Sequence, residues 1–255
     1  LPFVKPKMVI TNEAFAKEVG MTEEAYKSDE FLKYFSGDTK KTLPDMKTWC
    51  TPYALSIMGD PQMHNCPFKN GNGYGDGRAV SIAEVVAPDG KRWEFQLKGA
   101  GQTPFCRGAD GRAVLRSSIR EFLAQEAMHH LGIPTTRSLS LIMDEDQKVR
   151  RGWYSDRSLP EDMNQYPPQM RVMIKSQLGE MDKLVIENCA TTCRVATSFM
   201  RVGHLELHAR RAKKEMDSKL FGSEGYPESV TRMKDFEAIV QHAVDREYPE
   251  IAVGK

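Results

Sequence analysis

A lysine that closes an alternating run and a glutamate one helix later are the residues best placed to do chemistry. Lys98 follows Arg92 to Leu97 in KRWEFQLKG and lies 20 residues beyond Arg78, which lies in a glycine-dense stretch, GNGYGDGRAV. Glycines let backbone N–H groups come close to phosphate oxygens, and a lysine at a strand end beneath such a loop reaches the phosphates it holds. Taken alone, a lysine there is more often a solvated charge. Glu121 stands on the next amphipathic run, where it can pair with Lys98. Equally, SIRE at 118–121 has the form of a capping box, in which Glu121 satisfies a helix N-terminal N–H. Spacing leaves both open. The glycines at 71, 73, 75 and 77 lack the GxGxxG register and no GKS or GKT follows, which excludes the dinucleotide fingerprint and the Walker loop. The plainer alternative for them is a hairpin loop.

Further along, Arg194 and Arg201 are seven residues apart in CRVATSFMRV. On a helix that spacing puts them on one face, about 10 Å apart along the axis, a span that suits a triphosphate. The alternative is two surface arginines paired with acids. His204 and His208 are four apart, but HLELH is not the HExxH pattern, so no metal is expected there. No nucleophile elbow or local cysteine-protease signature occurs. The pentapeptide DGRAV occurs twice, at 76–80 and 110–114. Either this is chance, or two loops of like chemistry serve two parts of one polyanionic ligand.

The elements that must position these residues are readable in outline. Residues 1–60 mix Pro, charged and apolar residues and read as an arm with a short helix near Glu13 to Val19. From 61 to 152 the order is glycine loop, strand, strand, helix, strand, strand. SIAEVVA and KRWEFQLKG flank a Pro88-Asp89-Gly90 turn. Leu115, Ile119, Phe122, Leu123, Ala127 and Leu131 recur at helical spacing until Gly132 and Pro134. SLSLIMD and VRRGWYS read as two strands turned at Asp144 to Lys148. Residues 153–190 read as an insertion and 191–255 as the start of a helical lobe, with one or two helices from Cys193 to Met216 and another from Ser229 to Ala243.

Bulk properties narrow the class. With 255 residues the chain has room for a large core, and 36 Lys plus Arg against 35 Asp plus Glu give no field to draw nucleic acid or a membrane surface. Five scattered cysteines without a CxxC pair argue against a disulfide scaffold and for a reducing compartment. No stretch reaches the roughly 20 apolar residues of a membrane span, and the first residues lack a signal-peptide layout. The start at Leu1 and the end at IAVGK read as those of a fragment or a processed product.

Taken together, GDGRA at 75–79, QLKGAG at 96–101, RGADGRAVLRSSIREFLA at 107–124, LGIPTTR at 131–137 and RVGH at 201–204 resemble the selenoprotein O family. The resemblance implies an α+β, protein-kinase-like fold: an N-lobe antiparallel sheet with one main helix, then the start of a helical C-lobe. It implies an ATP- and Mg²⁺-dependent protein adenylyltransferase that binds ATP flipped relative to kinases and moves AMP to Ser, Thr or Tyr hydroxyls of protein substrates. By motif, Gly75, Gly77, Arg78, Lys98, Asp110, Gly111, Arg194 and Arg201 would bind ATP, with Glu121 paired to Lys98. The family's catalytic loop, an HGVMNTDN-like motif, has no match here, so the base and the Mg²⁺ ligands are expected downstream of residue 255 and this stretch alone is expected to be inactive. Family membership implies a mitochondrial location in a eukaryote and a cytoplasmic one in a bacterium. A phosphoryl-transferring kinase and a non-catalytic nucleotide-binding scaffold are the alternatives.

Overall fold

The computed structural model describes residues 2–42, 45, 47–51, 54, 76–104, 106, 109–153, 167–170, 183–221 and 232–248. They form an α+β structure around an antiparallel sheet. Its strands are β1 (Pro6–Thr11), β2 (Ala79–Val86), β3 (Arg92–Lys98), β4 (Ala113–Val114), β5 (Arg137–Trp153) and β6 (Lys183–Ala196). The order across the sheet is β1-β5-β6-β3-β2, with β4 also paired to β6.

The stretch read as an arm builds much of the core. Three short helices, α1 (Glu13–Glu18), α2 (Glu23–Tyr26) and α3 (Asp29–Phe35), each start at a side-chain cap: Asn12, Thr22 and Ser28 accept the amides of Phe15, Ala25 and Phe31. Each also carries an acid in its first turn, which favours the helix dipole. A fourth, α4, spans Thr39–Thr42. These caps let short helices turn Phe15, Tyr26, Phe31, Tyr34 and Phe35 inward against Phe95, Leu97, Ile142 and Val195 of the sheet. Phe15 meets Trp93 edge-on at 5.3 Å. Each such buried aromatic contributes about 2–3 kcal/mol.

β2 and β3 form the expected hairpin, closed by the Ala87 amide on the Lys91 carbonyl at 2.8 Å. Along β3 alternation sends Trp93, Phe95 and Leu97 into the core and leaves Gln96 and Lys98 on the other face.

Two expectations about the strands need correction. The predicted turn at Asp144 to Lys148 is absent: β5 runs as one strand past a bulge, with pairing to β6 resuming at Lys148↔Asn188 after Met143↔Ala190. Polar residues there look like a turn, yet the buried Asp144 carboxylate accepts the amides of Asp146 and Gln147, both at 2.9 Å, and of Val4 at 2.6 Å and Lys5 at 3.4 Å. Burial alone would raise that carboxyl, but the four amides hold it below its ordinary value. The second correction concerns residues 183–196, read as the end of an insertion and the start of a helix. They form β6, the strand between β5 and β3, where Cys189, Cys193 and Val195 are fully buried.

The main helix, α5 (Leu115–His130), forms as its spacing predicts, but with a different inner face. Ser118, Phe122 and Gln125 are buried, whereas Leu123 is 61% exposed. What turns it is polar: Glu126 accepts from Arg137, Asn12 and the Ser138 amide. Beyond the sheet, α6 (Val202–Phe221) and α7 (Arg232–Glu247) pack on each other. Among the described residues no helix is long and apolar enough to cross a membrane.

Candidate functional site

Lys98 is the last residue of β3, and Gly99 lets the chain leave it at once. Gly99 has φ +93°, and a Cβ there would lie 2.4 Å from that of Ala113 and 2.8 Å from the Ala190 carbonyl. This close crossing brings α5 beside the end of β3. Lys98 Nζ lies 2.5 Å from Glu121 Oε2, with about a quarter of each side chain exposed. The capping-box alternative for Glu121 needs Ser118 at the N-cap. The helix begins at Leu115, behind Val114 as N-cap, so Ser118 is inside it.

Arg194 reaches the same carboxylate by a different route. The pairing of β3 with β6 sets Gln96 opposite Arg194, whose Nη2 donates to Gln96 Oε1. Its Nη1 lies 3.5 Å from Glu121 Oε1, and its Nη2 lies 3.9 Å from Asp76 Oδ2. Only 11% of the side chain is exposed, and burial pulls the guanidinium below its usual value while Glu121 and Asp76 oppose this. An arginine so placed stays charged. Asp76 Oδ2 also accepts from Arg201 Nη2, on a side chain 38% exposed. The result is an alternating row, Lys98, Glu121, Arg194, Asp76, Arg201, with one positive charge in excess.

The helix that was to carry both arginines does not exist. Arg194 is in β6 and Arg201 precedes α6; they meet because both face Asp76. The chain is fixed at Arg201 by His204, whose Nδ1 accepts the Arg201 amide at 3.0 Å. Burial and the Arg201 charge push the imidazole below its ordinary value, so it is neutral near pH 7 with the proton on Nε2.

The remaining predicted residues fall around this row. Gly75 lies outside the described residues. The Gly77 carbonyl accepts from Thr103 Oγ1 at 2.7 Å, and the exposed Arg78 accepts the Gly99 amide on its carbonyl at 2.9 Å. Arg78 also lines a cavity of about 300 Å³ with Trp49, Cys50, Val80, Leu97 and Thr103, on the Leu97 side of β3. Burial pushes the Cys50 thiol there up to about 11, so it is not a nucleophile at neutral pH. Asp110 is joined to β5: Arg151 grips it with both Nη atoms, at 2.8 and 2.9 Å. Burial works to raise that carboxyl, but Arg151 and the Arg112 amide prevail and hold it low. Gly111 has φ +65°, and a Cβ on it would sit 2.0 Å from the Gly101 carbonyl oxygen.

Sequence reasoning missed Asp76, Gln96 and His204. Asp76 carried a signal, since it opens the first DGRAV. Gln96 shares the strand face of Lys98, two residues away. As to metal, the two carboxylates of the row each bridge cations, and no group of three His, Cys, Asp or Glu converges among the described residues.

Set against known proteins, residues 2–158 match the family described as protein adenylyltransferase SelO. Proteins named protein nucleotidyltransferase YdiU are similar over more of the chain. That of Methylobacillus flagellatus is 36% identical over 246 residues, 96% of this chain and 37% of its own length. That of an Azoarcus species is 39% identical over the same number, covering 96% and 39%. That of Xanthomonas axonopodis pv. citri is 40% identical over 210 residues, covering 82% and 33%. The chain thus spans about a third of the length of these relatives.

Proposed function

The chain belongs to the SelO protein adenylyltransferase family, and from that premise we propose that it forms the nucleotide-binding part of an enzyme that transfers AMP from ATP to Ser, Thr or Tyr hydroxyls of proteins. The observation that carries this reading is the row running from Lys98 through Glu121 to Arg194, Asp76 and Arg201. A strand-end lysine held by a helix glutamate orients the phosphates of a bound nucleotide, and this pairing is the basis for proposing a protein-kinase-like lobe. Two guanidinium groups beyond it supply charge where a flipped triphosphate would place its terminal phosphates. Arg78, with Gly75 and Gly77, is proposed to close over the nucleotide from the glycine loop, and Asp110 with Gly111 to border it from the β3–α5 connection.

In this scheme residues 61–152 together with β6 are the first lobe, residues 1–60 its packed arm, and 197–255 the start of the helical lobe. The chemistry asked of these residues is positional and electrostatic. Lys98, Arg194 and Arg201 offset phosphate charge as it redistributes in the transition state, and Glu121 keeps Lys98 aimed. The general base and the ligands of Mg²⁺, the ion that would neutralise further phosphate charge, are proposed to lie in the part of the longer relatives that this chain does not match. The named relatives are bacterial, which favours the cytoplasm as the compartment.

The same Lys98–Glu121 pair would also serve γ-phosphoryl transfer, so the test must separate the two. The full-length form is incubated with α-labelled or γ-labelled ATP, Mg²⁺ and mixed protein substrates. Incorporation of α-label alone, with a loss of about 100-fold or more in Lys98→Ala, is expected. Incorporation of γ-label would overturn the reading in favour of a kinase, and incorporation of neither would favour a binding scaffold.

A further inference from the structure

Asp76 bridges two cations with a single oxygen, at the place where the site would receive phosphate. Its Oδ2 accepts from Arg201 Nη2 and lies 3.9 Å from Arg194 Nη2. Arg194 does not depend on it, because Gln96 and Glu121 also hold that guanidinium, and Phe199 packs 5.7 Å from it. Arg201 is the more exposed partner and directs its charge onto Asp76. The Arg201 backbone is fixed independently, by the His204 ring on its amide. Arg194 and the Arg201 backbone are thus placed without the carboxylate, which holds the Arg201 guanidinium. Its effect is to occupy both guanidinium groups.

We infer that Asp76 is a resident anion, a specificity-determining residue that holds Arg201 and Arg194 until a ligand polyphosphate displaces it. This rests on the nucleotide-site reading. A carboxylate carries one negative charge and an incoming phosphate chain carries several, so the exchange favours the polyphosphate and disfavours weaker anions such as carboxylates or chloride. While Asp76 is in place, the two carboxylates of the row offset two of its three cations, which lowers its pull on adventitious anions.

The experiment is titration calorimetry of the chain with ATP, and separately with inorganic triphosphate, without divalent metal, using wild type, Asp76→Asn, Arg201→Gln and the double variant. Asp76→Asn should bind both ligands about tenfold more tightly, with a steeper salt dependence, and Arg201→Gln should cancel that gain. Unchanged or weaker binding in a folded Asp76→Asn, judged by circular dichroism, would overturn the inference and leave Asp76 a plain positioning residue. A gain that persists without Arg201 would overturn it too. If Asp76→Asn does not fold, Asp76→Ser provides the same comparison with a shorter side chain. Failure of wild type and variants alike to bind ATP would instead remove the nucleotide-site reading, and the inference with it.

Discussion

The two DGRAV segments have one sequence and two fates. In both, the Ala-Val pair enters a strand, β2 at 79–80 and β4 at 113–114, and in both the aspartate meets arginine. There the likeness ends. Asp76 binds arginines of the cationic row, and Arg78 stays exposed beside a cavity. Asp110 binds Arg151 of β5, and Arg112 is buried, its Nη1 donating to the Ala100 carbonyl at 2.7 Å and its guanidinium 4.9 Å from the Phe3 ring. The first copy lies at the entrance of a hairpin and can present its arginine outward. The second lies in a connection pressed between β3, β6 and the N-terminal residues, where its arginine becomes an internal brace. A pentapeptide fixes a local turn-to-strand tendency; what surrounds it decides whether its charges face a ligand.

This contrast is easiest to break at the glycines. Gly111→Ala should destabilise the chain most, by about 3 kcal/mol or more, since a left-handed backbone and a 2.0 Å overlap with the Gly101 carbonyl oxygen both oppose a side chain. Denaturant titration reads the effect, and a change under 1 kcal/mol would show that the connection is not tightly held. Next come the arginines. Arg112→Ala should cost about 2–3 kcal/mol of stability by leaving buried acceptors unpaired, while Arg78→Ala should stay within about 0.5 kcal/mol yet weaken ATP binding about tenfold. The reverse pattern would exchange the roles of the two copies.

The smallest effect is a pH dependence contributed by the second copy. The folded-state value of Asp110 lies below the ordinary value of 3.8, so its stabilisation is fully present above that value and is lost as pH falls through the lowered one. Asp110→Asn should therefore flatten the fall in melting temperature below about pH 4, with a change of less than about 1 kcal/mol because the Arg151 pair is partly exposed. An unchanged acid limb would mean that the pair contributes nothing measurable.

Sequence showed what is local and hid what is not. The β2–β3 hairpin, Lys98 at its strand end and α5 with its Gly132 stop all rest on contacts within a few residues or on plain periodicity. The bulge in β5 was hidden because the amides that bind Asp144 include those of Val4 and Lys5, some 140 residues away. β6 was hidden because CRVATSFMRV has enough arginine and methionine to read as helix, while its burial between β5 and β3 is a tertiary fact. The inner face of α5 was misread for a related reason: Glu121 and Glu126 are drawn to Lys98 and Arg137, and this outweighs the wish of Leu123 to be covered.

The sheet order also sets a timetable. Among the described strands β6, between β5 and β3, is the last to be synthesised, so until residue 196 exists the β3 and β5 edges it joins have no strand between them. At roughly 5–20 residues per second, Phe15, Tyr26 and Phe31 wait on the order of ten seconds for the strand that completes the wall they pack against. Through that interval these aromatics have β3 and β5 to pack against but not Cys193 and Val195, which the strand between them supplies.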